Sequence, residues 1–139
     1  MAIFAPIYGA ADVGWYWHLV ERELRERGHE TVAPDLPCDD DDASLGEYAD
    51  TVAEAVDDGR DLVVVATSFG GYTATLVADR LPVDLLVLVQ GMVPAPGEKG
   101  NDWFANTDWE QSVQEQAKRD GGKTGSADPF VVFYHAQKE

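Results

Sequence analysis

LVVVATSFGGYTA, residues 62–74, holds more structural information than any other stretch of this chain. Residues 62–67, LVVVAT, are apolar without alternation, so both faces of the predicted strand are covered, as in a parallel sheet with helices on each side. A helix is predicted over 70–80, directly after Ser68-Phe69, and it is rich in small residues. Between strand and helix stands small-x-Ser-x-Gly, with Ala66 two residues before Ser68 and Gly70 two after. In this strand–turn–helix setting the pattern is that of a nucleophile elbow, whose sharp turn holds the serine in a strained conformation. The turn requires small residues at both flanks, because the backbone approaches itself closely there. Gly71 lets the helix start tight against the sheet. The hydroxyl then stands at the C-terminal edge of the sheet and at a helix N-terminus, where free N–H groups favour a developing oxyanion. The alternative is a serine that merely caps a helix.

Working outward, strands and helices alternate. Residues 2–8, AIFAPIY, are a short apolar run ended by Gly9. A helix is predicted over 15–27, with Trp15, Leu19, Val20 and Leu24 on its core face and Gly28 as its stop. ETVAP, residues 30–34, reads as a second strand. Ser44 and Glu47 form a capping box for a helix reaching about Asp57, with Leu45, Tyr48, Val52 and Val56 on one face. DLLVLVQ, residues 84–90, is a further strand expected to be fully buried. The sum is an α/β fold, a three-layer sandwich around a short, mainly parallel sheet. Residues 1–93 form its core half; residues 94–139 read as a lid-like or cap-like segment of the same domain. Within 94–129 the sequence predicts one weak helix near 108–119, and residues 130–135, FVVFYH, are a short apolar segment.

Composition narrows the function classes. Asp and Glu number 26 against 10 Lys and Arg, a net charge of −16, so the surface repels nucleic acid and anionic lipid. This bias fits a surface suited to high salt, and equally a generally acidic soluble protein. No run approaches the ~18 apolar residues of a membrane span. No secretion signal is evident and Cys38 is the single cysteine, so cytoplasmic residence is the default expectation, with no disulfide, metal or cofactor.

With these elements in place, a family resemblance emerges. IYGAADVGWYWHLVERELRERGHETVAPDLP, together with the elbow, VQGMVPAPGE and DPFVVFYH, resembles the esterase and hydroxynitrile-lyase-like branch of the α/β-hydrolases, with an N-terminal half truncated before the end of that fold. The branch typically reads HGAWHGGWCW where this chain reads YGAADVGWYW at residues 8–17. The resemblance implies Ser68 as nucleophile and the backbone N–H groups of Ala10 and Phe69 as the oxyanion hole. It also implies a triad acid and histidine on later strands, to which no residue of this chain corresponds in position. Tyr8 stands where the family has His, and Ala66 where it usually has Gly.

A serine hydroxyl is a weak nucleophile unless a base takes its proton. Of the three histidines, His18 and His29 read as structural, while His135 follows Ser68 and could serve as a substitute base, oriented by Asp102, Asp108 or Asp128. The strand at 84–90 lacks the charges or proline that blunt an edge, which predicts self-association through it, as a two-fold dimer. Two other motifs carry less. Residues 9–14 lack the middle glycine of a dinucleotide loop, and Asp12 would repel a pyrophosphate. Asp39–Asp42 lack the alternating spacing of a calcium loop and read as a solvated acidic turn. The sequence thus points to a hydrolase of small carboxylic esters acting through an acyl-enzyme on Ser68. The alternative is a catalytically degenerate hydrolase-fold module that binds a ligand or itself, or a fragment of a longer hydrolase.

Overall fold

The computed structural model describes residues 1–56 and 60–126. Four parallel strands form one sheet: β1 (Ile3–Ile7), β2 (Glu30–Thr31), β3 (Leu62–Thr67) and β4 (Val83–Val89), in the order β2-β1-β3-β4. The helices are α1 (His18–Glu26), α2 (Leu45–Val56), α3 (Gly70–Arg80), α4 (Gly100–Asn106) and α5 (Trp109–Arg119). Crossovers between parallel strands are right-handed. The chain steps from β1 outward to β2, then back across β1 to β3 and on to β4. That reversal of direction places α1 on one face of the sheet and α2 and α3 on the other. The result is the three-layer α/β arrangement expected, around a short parallel sheet.

The core is centred on β1 and β3. Ala5, Ile7, Leu62, Val64 and Ala66 are fully buried, and they meet Ala49, Val52 and Val56 of α2 and Ala74 and Val77 of α3. β3 and α3 match the predicted spans. The capping box forms as predicted: Glu47 Oε2 accepts the Ser44 N–H at 2.7 Å, and the Ser44 Oγ accepts the Glu47 N–H at 3.4 Å.

Four expectations are corrected. The predicted helix over 15–27 is split. Gly14–Trp17 form a 3-10 turn, and α1 follows. A 3-10 turn brings residues i and i+3 onto one face. Gly14 and Trp17 therefore point inward while Trp15 is 71% exposed, and Leu19 and Val20 are exposed with it. No residue of α1 is buried. The second strand is shorter than 30–34, because it pairs with β1 only at Glu30 and Thr31. β4 is not fully buried. It lies at the sheet's edge, with Leu85 54% exposed. Finally, α4 precedes the single helix predicted near 108–119; the apolar segment 130–135 lies outside the described residues.

By its internal contacts the chain divides into two compact units, Met1–Pro94 and Ala95–Glu139. In the second, Phe104 meets Trp103 and Trp109 edge to face, and Asn106 donates to Glu98 Oε1 at 2.7 Å. That hydrogen bond, with one from the Ala95 N–H, holds the Glu98 carboxyl below its ordinary pKa. No helix among the described residues is long and apolar enough to cross a membrane.

Candidate active site

β1 and β3 are neighbours and run parallel, with Ile7 opposite Ala66. Their C-terminal ends therefore open at the same edge of the sheet. Ser68 leaves β3 there with φ +50°, in the left-handed region that a side chain normally avoids. Holding a non-glycine residue there costs on the order of 1–3 kcal/mol. Three backbone hydrogen bonds hold the residue in place. The Ser68 N–H donates to Gln90 O at 3.2 Å, and its carbonyl accepts from the N–H groups of Met92 at 2.9 Å and Gly71 at 3.1 Å. Gln90 itself has φ +52°. The turn after β4 thus clasps the turn after β3. The side chain of Ser68 is exposed, and its Oγ makes no hydrogen bond among the described residues.

The glycines around this turn are fixed by lack of room. A Cβ on Gly70 would lie 2.5 Å from the carbonyl oxygen of Tyr8, and one on Gly71 would lie 2.0 Å from the carbonyl oxygen of Met92. Both obstacles are backbone and cannot swing aside. Gly70 is small because the end of β1 passes over it, a cross-strand reason beyond the turn's own curvature. A Cβ on Gly9 would lie 2.9 Å from Ser68 Cβ. The loop after β1 therefore packs directly on the serine.

Neither the Ala10 N–H nor the Phe69 N–H donates a hydrogen bond among the described residues. Ala10 is exposed, and the Phe69 ring is half-buried against Tyr72 with centroids 5.0 Å apart. Ala11, next in the loop, has φ +61°. Tyr8, at the position where His was expected, is buried, and its hydroxyl accepts the Leu36 N–H at 2.6 Å. Burial pushes its phenol well above the ordinary 10.0, so the neutral form persists at any physiological pH.

The histidines divide as follows. His18 stacks on Trp15 with centroids 3.9 Å apart, its Nδ1 2.8 Å from the Trp15 carbonyl oxygen. His29 accepts the Ala2 N–H through Nδ1 at 3.3 Å. His135 and Asp128 lie outside the described residues. Asp102 sits in the first turn of α4, and Asp108, with φ +52°, precedes α5. Among the described residues no group of three or more His, Cys, Asp or Glu side chains could hold a metal ion. In the acidic turn, Asp40 Oδ1 accepts the Asp42 N–H at 3.0 Å.

The clasp by Gln90 and Met92 was not legible as part of the site. QGM stands in the sequence as the end of the β4 segment and part of the family resemblance, with nothing that ties it to Ser68. Its partnership with Ser68 spans more than twenty residues and has no local signal.

A model of the alpha/beta hydrolase family matches residues 2–136. Methyl jasmonate esterase 1 of Vitis vinifera is 27% identical over 105 residues, which cover 67% of this chain and 40% of that protein. Methylesterase 7 of Arabidopsis thaliana is 29% identical over 104 residues, covering 66% of this chain and 40% of that protein. The crystal structure of polyneuridine aldehyde esterase superposes with a TM-score of 0.67 at 22% identity, covering 79% of this chain and 48% of that one. The chain thus spans well under two thirds of the length of these relatives.

Proposed function

This chain belongs to the alpha/beta hydrolase family, and from that premise we propose that it is an esterase-type hydrolase of small carboxylic esters with Ser68 as nucleophile. The observation that carries this reading is the left-handed Ser68, exposed at the sheet edge and packed on by Gly9. In the proposed reaction the Ser68 Oγ bonds to the ester carbonyl carbon as its proton passes to a base. The carbonyl oxygen becomes an oxyanion that takes hydrogen bonds from the Ala10 and Phe69 N–H groups. The C–O bond to the alcohol then breaks, and the alcohol leaves with the proton. Water then bonds to the acyl carbon as the base takes its proton, the bond from that carbon to Ser68 Oγ breaks, and the proton passes from the base to Oγ as the acid leaves. Two groups free to donate beside a fixed serine support this assignment, as do relatives named as esterases.

Among the histidines, His135 is the candidate for a substitute base, a role open to test by a His135→Ala variant, whose unchanged rate would dismiss it. For the reaction itself the test is hydrolysis of an aryl acetate by the full chain and by Ser68→Ala. A drop of about 10³-fold or more is expected, on the scale of losing an activated nucleophile. Equal rates for the two proteins would end the enzymatic reading.

The second reading, a self-associating hydrolase-fold module without turnover, is favoured by β4. Its edge is unpaired among the described residues, and Leu85 and Val89 are both exposed there. Two copies joined across a two-fold axis would pair their β4 strands antiparallel and cover these side chains. The net charge of −16 opposes that contact at low salt. Light scattering should therefore show a dimer whose fraction rises with salt, and a monodisperse monomer at all salt concentrations would exclude it.

A further inference from the structure

We propose that Tyr8 and Asp35 are positioning residues that fix the loop of residues 8–14 over Ser68 from its two ends. The proposal deepens the esterase reading and rests on it for the claim that the Ala10 N–H is an oxyanion donor.

The loop leaves β1 at Tyr8 and re-enters regular structure at Gly14. Its interior is held weakly, the local ties being Val13 N–H to Asp12 Oδ1 at 3.0 Å and Tyr16 N–H to Val13 O at 3.0 Å. Neither tie touches Gly9 or Ala10. The strong contacts lie at the ends, and both come from the segment that follows β2. At the first end the Tyr8 hydroxyl accepts the Leu36 N–H at 2.6 Å, and the Leu36 carbonyl oxygen and Cys38 Sγ lie at 3.4 and 3.8 Å to take its proton. At the second end Asp35 Oδ1 accepts the Gly14 N–H at 2.7 Å, a charge-assisted bond. Gly14 also lies flat on the same segment, where a Cβ would come within 2.2 Å of the Ala33 carbonyl oxygen.

Asp35 and Leu36 are adjacent, so a single peptide unit anchors both ends of a seven-residue loop. Adjacent Cα atoms are held about 3.8 Å apart by covalent geometry, so the two anchors cannot drift independently. A loop pinned this way can tolerate Ala11 at φ +61° and still press Gly9 against Ser68. The buried, neutral Tyr8 hydroxyl is suited to its part because it can accept and donate at once. Asp35 is exposed apart from this contact, so replacing it removes the tie without opening a core.

The experiment uses the full 139-residue chain as wild type, Asp35→Ala, Asp35→Asn and Tyr8→Phe. Hydrogen exchange at single amides is read by NMR, and aryl acetate hydrolysis is followed in parallel. In Asp35→Ala the Gly14 amide should exchange about 10-fold faster or more, on the scale of a lost hydrogen bond to a charged acceptor. In Asp35→Asn, which keeps an acceptor at the same place, it should stay within about threefold of wild type. In Tyr8→Phe the acceleration should fall on the Leu36 amide. The kcat of Asp35→Ala should drop about 10-fold with KM little changed, because a displaced donor weakens the transition state more than the ground state. Gly14 exchange unchanged in Asp35→Ala would overturn the proposal, as would Asp35→Asn behaving like Asp35→Ala. So would full kcat in Asp35→Ala where Ser68→Ala is inactive. Equal rates for wild type and Ser68→Ala would instead overturn the esterase reading, with the exchange data still judging the loop.

Discussion

Helices α1 and α3 cover opposite faces of one sheet, and they attach to it by different physics. α3 buries Gly70, Gly71, Tyr72, Thr73, Ala74 and Val77, six of its eleven residues. Its small side chains let the helix axis come close to β1 and β3, and that closeness is what aims Ser68. α1 buries none of its nine. Its surface is laced by Arg25–Glu21 at 2.7 Å and Arg27–Glu23 at 2.8 Å, both four residues apart. The Arg27–Glu23 pair, exposed on both sides, contributes only a few tenths of a kcal/mol. The Glu23 carboxyl is drawn below its ordinary pKa by the Arg27 guanidinium, a local effect at a fully exposed position. The contrast teaches that helix presence and helix importance are separate matters. One face of the sheet is built by steric fit, and the other is covered by a helix that buries none of its residues and carries ion pairs along its surface.

This contrast can be broken most decisively at Gly71. With the Met92 carbonyl oxygen 2.0 Å from where its Cβ would stand, Gly71→Ala should cost about 3 kcal/mol and lower the melting temperature by roughly 10 °C. A variant melting within 2 °C of wild type (about the reading error) would mean that α3 is not held as tightly as its burial says. A smaller loss is expected at Val77, which is fully buried. Val77→Ala removes about two methyl-sized groups and leaves part of the space empty, for about 2 kcal/mol by chemical denaturation. On the same side of the sheet, Ser44→Ala takes the cap from α2 and should cost about 1 kcal/mol. Recovery of stability by Ser44→Asp, another good cap, would tie the loss to the cap itself. The smallest effect belongs to α1. Leu19 is 56% exposed, so Leu19→Gln should shift stability by no more than about 0.5 kcal/mol in either direction. A loss comparable to that at Val77 would show that α1 covers more of the core than its exposure indicates.

Legibility followed the same division. β3 and α3 were read to their ends because an apolar run without alternation has few alternatives once a glycine-flanked serine and a helix follow it. The capping box was legible because its partners lie three residues apart. The inward face of the 14–26 segment was misread. The pattern of Trp15, Leu19, Val20 and Leu24 suits one continuous helix, but the 3-10 turn shifts the phase and buries Trp17. α4 was missed because GNDWFAN carries Gly and two Asn, poor helix formers, and its support comes from aromatic contacts and from Glu98 outside the element. Ser68, Ala10 and Phe69 were legible as a motif and a resemblance. The contacts that hold them, Gln90 to Ser68 and Asp35 to Gly14, pair residues about twenty apart and carry no periodic signal.

The sequence by itself determined the alternation of strands and helices, the covered strand before Ser68 and the sharp turn at it. These are short-range consequences of hydrophobic pattern and of which residues tolerate a tight backbone. Only the tertiary structure decided which glycines have no alternative, which end of which loop presses on the serine, and how far the side chains of β4 are exposed. Those outcomes depend on segments distant in sequence passing so close that a Cβ on Gly70 or Gly71 would stand within 2.5 Å of a carbonyl oxygen, and such approaches are set by how the whole sheet packs, not by any window of neighbouring residues.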